Sequence, residues 1–205
     1  MFITFEGIEG SGKTTQAKLL HEWLIDNGYE VILTREPGGT PAAEEIRKFI
    51  LSDREEPFPE IAELMLYMAA RSFHVQNLIK PALNSGTIVI SDRFSDATLA
   101  YQGYGRGLSL KDISHLNSLA TEGLKPDITF LIDVPVEIGM LRIEGREHDR
   151  IEKETLIFHE KVRKGYLQIA SENPERIVVI DGTKRTEEIF EEIRKNIERR
   201  LKNGI

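Results

Sequence analysis

The stretch Gly7-Ile8-Glu9-Gly10-Ser11-Gly12-Lys13-Thr14 constrains what this chain can fold into more than any other. It follows an apolar run at residues 2–5, opens a helical pattern at 15–27, and fits G-x-x-x-x-G-K-[ST] without a mismatch. In that strand–loop–helix setting the glycines let backbone N–H groups converge on phosphate oxygens, and the helix N-terminus adds partial positive charge. Lys13 would reach β- and γ-phosphates, and Thr14 would offer its hydroxyl to Mg²⁺. A glycine-rich turn without a ligand is the plainer alternative. Glu9 poses a question of its own, because it sets a carboxylate inside an anion cradle.

Four more short runs are apolar almost throughout, at residues 31–33, 87–90, 128–132 and 177–180. Runs of this kind suit strands buried on both faces of a parallel sheet. Helical patterns lie between and after them, at 41–51, 61–83, 110–122, 153–172 and 187–201. The alternation predicts an α/β, doubly wound sheet with its site at the C-terminal strand ends. With 205 residues and no repeat, low-complexity tract or long linker, one domain over 1–205 is expected. Residues 139–151 are polar, charged and interrupted by Gly145, and read as a mobile element above the sheet edge.

Composition excludes some classes. A net charge of −7 argues against broad nucleic-acid binding, yet leaves room for small anions held by local arginines. The absence of cysteine removes disulfides and thiolate metal sites and suits a reducing compartment. No basic leader opens the chain, and no stretch approaches the roughly 20 apolar residues of a membrane span, so a soluble cytoplasmic protein without a membrane partner is expected. The five histidines show no ligand spacing, and Trp23 reads as packing on the first helix.

A second strand end carries chemistry. Thr87-Ile88-Val89-Ile90-Ser91-Asp92-Arg93 places Asp92 where a carboxylate would orient Mg²⁺ or its water, with the Arg93 fork beside it for phosphate. Alone, an Asp-Arg pair would as readily cap the next helix. Arg142, Arg146 and Arg150 are spaced four apart, so on a helix they share one face and would form a basic lid; an ion-paired, solvated helix is the alternative. No N-K-x-D guanine-reading motif occurs.

These pieces, with TREPGGT (34–40), LYMAAR (66–71), DRFSDATLAYQGYGRG (92–107), GLKPDITFLID (123–133) and REHDRIE (146–152), resemble the thymidylate kinase family in order and over nearly the whole chain. The resemblance implies a P-loop nucleoside monophosphate kinase fold, a five-stranded parallel sheet of order 2-3-1-4-5 flanked by helices, with a lid near 142–152. It implies transfer of the γ-phosphoryl group of MgATP to dTMP, giving dTDP for dTTP synthesis and DNA replication. A homodimer built partly on the 61–83 helix is also implied, against the simpler reading of a central buried helix. A related kinase of relaxed acceptor specificity and a non-catalytic nucleotide-binding protein are the competing readings.

By the same resemblance ATP would meet Gly7, Ile8, Glu9, Gly10, Ser11, Gly12, Lys13, Thr14, Thr15 and Arg142, with Mg²⁺ at Thr14 and Asp92. Catalysis would rest on Lys13, Arg93, Arg146 and Arg150, the bacterial arrangement with arginines in the lid. Tyr67 would stack on thymine, Arg71 would donate to a base carbonyl, and Thr98 would read the pyrimidine edge. Tyr101 and Gln102 would lie by the sugar, Tyr101 leaving no room for a 2′-hydroxyl. Arg93, Arg35 and Arg47 would hold the acceptor phosphate, and Glu9 would accept from the 3′-hydroxyl. Core filling is the plainer account of Tyr67 and Tyr101 taken singly. Tyr67 stands where relatives often carry phenylalanine, and Phe94 where they often carry tyrosine. Residues 181–185 would touch adenine or simply turn into the last helix.

Overall fold

The computed structural model describes residues 1–53, 55–145 and 147–202. The five apolar runs form β1 (Phe2–Glu6), β2 (Val31–Arg35), β3 (Ile88–Asp92), β4 (Ile128–Asp133) and β5 (Ile177–Asp181). All pair in parallel, in the order β2-β3-β1-β4-β5. This is the expected sheet. Burial follows position in it: β1, β3 and β4 are covered on both faces, whereas the edge strands β2 and β5 stay partly open.

Alternation along the strands builds two cores. Ile3, Phe5, Ile90, Phe130 and Ile132 meet Leu20 and Leu24 of α1 (Lys13–Asp26) and Ile189, Ile193 and Ile197 of α9 (Thr186–Lys202). The other face carries Leu131 against Val162, Tyr166 and Ile169 of α8 (Leu156–Glu172), and Phe2 and Val89 against Val75 and Ile79. Polar residues on that face satisfy each other, as Thr4 and Thr129 do through hydroxyls 2.7 Å apart.

The remaining elements are α2 (Pro41–Leu51), α3 (Glu60–His74), a π-helical turn (Val75–Ile79), α4 (Lys80–Asn84), α5 (Ser95–Thr98), a second π-helical stretch (Leu99–Gly105), α6 (Leu110–Thr121) and α7 (Val136–Ile143). Caps set several starts. Thr40 accepts from Ala43 N with Pro41 at the first position of α2, and Thr155 accepts from Phe158 N, so α8 begins at Leu156 rather than at 153. Among the described residues no helix is long and apolar enough to cross a membrane.

The segment 139–151 begins inside a helix. Val136–Ile143 is a helix, and it docks on the P-loop through two glycines: a Cβ on Gly10 would lie 2.0 Å from Gly139 O, and one on Gly139 would lie 2.4 Å from Glu9 O. Gly145, at φ 85°, follows the end of α7, and Ile151 is buried again, so both ends of the segment are anchored. Arg142 and Arg150 therefore share no helical face, and Arg146 lies outside the described residues.

Gly139→Ala tests this packing. Alanine gains up to about 1 kcal/mol in helix propensity, but overpacking against an immobile backbone costs roughly 1–3 kcal/mol. Urea unfolding should show net destabilisation.

Candidate active site

The strands end in charge: Glu6, Arg35, Asp92, Asp133 and Asp181 close β1 to β5. A parallel sheet brings these ends to one edge, and the P-loop leaves β1 at its centre. A cleft of about 450 Å³ opens there, running from Gly10, Lys13 and Thr14 past Asp92 and Arg93 to Tyr67, Arg71 and Thr98.

At the P-loop end, Gly7 adopts φ 144°, and a Cβ there would stand 2.5 Å from Ile132 O. Ser11 N donates to Ile8 O (3.3 Å), folding the loop on itself. Lys13 is buried and donates to Ile8 O (3.3 Å); burial, then the nearby Arg93, lower its pKa. Thr14 Oγ1 donates to Asp92 Oδ2, while Asp92 Oδ1 and Ser11 Oγ are buried without a protein partner. A hydroxyl beside a carboxylate with an uncommitted oxygen is a hard-oxygen set that fits Mg²⁺, an ion usually bound by one or two carboxylates together with substrate phosphates.

Arg93 occupies the middle in the left-handed region, φ 73°, which costs a non-glycine residue about 1–2 kcal/mol. Its Nη1 donates to Gly7 O and Tyr166 OH (both 2.9 Å), and its Nη2 to Glu9 Oε1 (2.8 Å) and Tyr101 OH (3.0 Å). Tyr101 OH donates in turn to Glu9 Oε1 (2.6 Å), and His159 Nδ1 stands 3.4 Å from Glu9 Oε2. Burial alone would raise the Glu9 carboxyl; Arg93 first, then His159, Lys13 and Tyr101, outweigh it and hold the group well below the usual carboxylate range.

Arg71 organises the far end. Its Nε donates to Glu36 Oε2 (2.7 Å), Nη1 to Thr98 Oγ1 (2.8 Å) and Asn117 Oδ1, and Nη2 to Phe94 O (3.0 Å). Four of its five N–H groups are thus engaged, and one on Nη2 is left for the cleft. Glu36 also meets His74 Nδ1 (3.0 Å), whose Nε2 pairs with Thr34 Oγ1 (2.7 Å). Against burial, Arg71 and then His74 keep Glu36 ionised below its ordinary range.

Comparison with known proteins agrees with this geometry. The thymidylate kinase family model matches residues 5–193. The chain belongs to the thymidylate kinase family. The thymidylate kinase of Sulfurihydrogenibium sp. is 52% identical, with 97% of each chain covered, and that of Geotalea uraniireducens is 49% identical, with 99% of each covered. Among solved structures, the thymidylate kinase of Ehrlichia chaffeensis superposes with a TM-score of 0.79 at 40% identity, covering 96% of this chain and 98% of that one.

Most residues singled out from the sequence line the cleft: Glu9, Gly10, Gly12, Lys13, Thr14, Thr15, Arg35, Arg47, Tyr67, Arg71, Asp92, Arg93, Thr98, Tyr101 and Gln102. Arg35 pairs with Glu44 (3.1 Å), and Arg47 donates to Pro37 O (2.8 Å). The lid arginines diverge. Arg142 bridges Gly10 O (3.3 Å) and Gly182 O (3.0 Å), linking the P-loop to the turn after β5, whereas Arg150 donates to Ile50 O (3.0 Å) and pairs with Glu63 of α3. The sequence reading missed Glu6, Glu36, Glu63, His74, Asn117, His159 and Tyr166. An unexplained carboxylate closing an apolar run, as at Glu6, is an available signal.

Glu6 yields a pH prediction. Burial, then Asp96, push its carboxyl up from 4.5 to about 8. The folded chain therefore keeps a proton that the unfolded chain releases, and folding stability falls as pH rises through that window and levels off above it. The Glu6→Gln variant lacks this loss. Its stability relative to the wild type should climb by about 1.4 kcal/mol per pH unit in mid-window, checked by urea unfolding at pH 5, 6.5 and 8.

Proposed function

We propose that the chain transfers the γ-phosphoryl group of ATP to the phosphate of dTMP, giving dTDP and ADP on the route to dTTP for DNA replication. The observation that carries this reading is one continuous cleft in which a P-loop and an Arg71–Tyr67–Thr98 pocket are joined by Arg93 and Asp92. A donor triphosphate and an acceptor monophosphate would meet there end to end.

The acceptor phosphate is already an oxyanion. One of its oxygens attacks the γ-phosphorus, the bond to the β,γ-bridging oxygen breaks, and that electron pair leaves on ADP. No general base is needed, so the chain's work is positioning and charge neutralisation. Lys13 and the P-loop amides hold the β- and γ-phosphates, and Arg93, with Arg35 and Arg47, holds the acceptor phosphate. Thr14 and Asp92 would hold Mg²⁺, which when bound draws charge from the β- and γ-oxygens. Tyr67 offers a ring face to thymine. The remaining Arg71 N–H suits a thymine carbonyl and leaves a cytosine amino group unmatched. Tyr101, buried beside Glu9, fills the space a 2′-hydroxyl would take, and Glu9 accepts from the 3′-hydroxyl. Arg142 acts on the ATP side; Arg146 and Arg150 complete a closing lid near 142–152 within a single cytoplasmic domain.

Ile61, Met65 and Phe73 are 53%, 47% and 44% exposed on α3, and we propose that a second copy of this chain covers them as a homodimer.

Coupled ADP release with MgATP tests the chemistry. Release should appear with dTMP, weaken with dUMP and be negligible with dCMP, dGMP and AMP; Lys13→Ala should lower kcat by about a hundredfold or more. Equal turnover with every pyrimidine would instead favour a kinase of relaxed specificity. Sedimentation tests the dimer, which Met65→Asp should split into monomers.

A further inference from the structure

We infer that Glu6 and Tyr166 are positioning residues for the acceptor pocket: a buried carboxyl–phenol pair that fixes the spacing between the Arg93 and Arg71 guanidinium groups. The inference rests on the reading that these two guanidiniums hold the phosphate and the base of one nucleotide.

Neither residue lines the cleft, and both are buried, at 1% and 3% exposure, so they act through others. Their contacts converge on a single turn. After β3 the chain enters the left-handed region at Arg93 and then continues into Phe94. Arg93 N donates to Phe5 O (2.9 Å), and Ser91 Oγ donates to Arg93 O (2.7 Å). The next amide, Phe94 N, donates to Glu6 Oε1 (2.7 Å). The other oxygen, Glu6 Oε2, is 2.8 Å from Tyr166 OH, and that hydroxyl accepts from Arg93 Nη1 (2.9 Å). One carboxyl thereby holds the main chain beyond Arg93 and, through a phenol, the Arg93 side chain.

The same residue reaches the base side. Phe94 O accepts from Arg71 Nη2 (3.0 Å), and the Arg71 guanidinium lies 5.4 Å from the centre of the Phe94 ring. Residue 94 is thus gripped at its N–H by Glu6 and at its carbonyl by Arg71. A monophosphate bound between the two arginines spans a distance set by this turn. A left-handed arginine does not keep that conformation unaided, and the Glu6 carboxyl is the side chain that holds the amide following it. A carboxyl that stays protonated at neutral pH acts here as a hydrogen-bonding group, so glutamine can stand in for it.

The experiment is dTMP titration by calorimetry together with steady-state kinetics on the full chain. It compares the wild type, Tyr166→Phe, Glu6→Gln, Glu6→Ala, Arg93→Ala and the Arg93→Ala/Tyr166→Phe double variant. Tyr166→Phe deletes one hydroxyl and keeps its ring in the core. It should weaken dTMP binding and raise the KM for dTMP about tenfold, the size of one lost hydrogen bond to a charged group. The KM for ATP should stay within about twofold. Glu6→Gln should remain near wild type, and Glu6→Ala should match or exceed the Tyr166→Phe defect. In the Arg93→Ala background Tyr166→Phe should have no further effect on the dTMP Kd, because its route to substrate is gone. Unchanged dTMP affinity in Tyr166→Phe, or a full and additive loss in the double variant, would overturn the inference. Should Glu6→Ala fail to fold, Tyr166→Phe and the double variant still decide it. Acceptor-dependent ADP release by the wild type separates the two claims: a wild type that ignores dTMP sinks the proposed activity. The Tyr166 cycle, repeated with whichever monophosphate binds, then still tests the spacing.

Discussion

The hydrogen bonds from the Arg93 guanidinium to Gly7 O, Tyr166, Glu9 and Tyr101 tie the two halves of this molecule together. One partner belongs to the P-loop's first residue, one to the P-loop's carboxylate, one to the π-helical stretch after α5 and one to α8. Elements distant in the chain are thereby brought to one fork whose geometry is rigid and whose charge cannot be titrated away. The sheet makes this feasible. Because β1 and β3 are hydrogen-bonded neighbours, with Phe5 opposite Asp92, the residues just past their ends meet without any long excursion of chain.

Much of the charge in and behind the cleft is balanced in pairs. Arg93 faces Glu9, Arg71 faces Glu36, and Arg150 and Arg106 face Glu63. Burying one member alone would carry the full desolvation penalty, and the pair is tolerated because further donors complete each carboxylate. Tyr101 serves Glu9, His74 serves Glu36, and Gln102 serves Glu63. A chain with net charge −7 can therefore still present guanidinium groups to phosphates, since its acids are spent locally on orienting them.

The parts of this arrangement legible in the sequence are those written in short-range pattern. The strands announced themselves as unbroken apolar runs, and the P-loop as a motif in the right strand–helix context. Arg71 and Thr98 became legible through family resemblance, because no local pattern joins residues 27 apart. What stayed hidden was long-range pairing between ordinary residues: Tyr166 meets Glu6 across 160 positions, and Asn117 meets Arg71 across 46. Local pattern also misled once. The four-residue spacing of Arg142, Arg146 and Arg150 suggested one helical face, yet α7 ends at Ile143, before a glycine in the left-handed region. Residues 136–143 went unread as a helix because a segment this short carries little periodic signal. Its docking also depends on Gly10 and Gly139 touching, which only the fold brings about.

Glu9 shows how a residue that looks misplaced in one dimension is explained in three. Within the P-loop string it opposes the purpose of an anion cradle. In the fold its carboxylate meets the residue just past β3, and Arg93, Tyr101 and His159 surround it. There it neutralises one arginine that would otherwise be buried unpaired and fixes the direction in which that arginine's remaining Nε–H can point. Its depressed pKa keeps that partner charged over the whole physiological range, so the Glu9–Arg93 pair is not lost within it. Glu6, at the end of β1 just before the loop, supports the same arginine without adding a second negative charge, because burial keeps its carboxyl protonated up to about pH 8. Two glutamates three positions apart thus do different work on one guanidinium. The difference comes from solvent and neighbours, not from residue type.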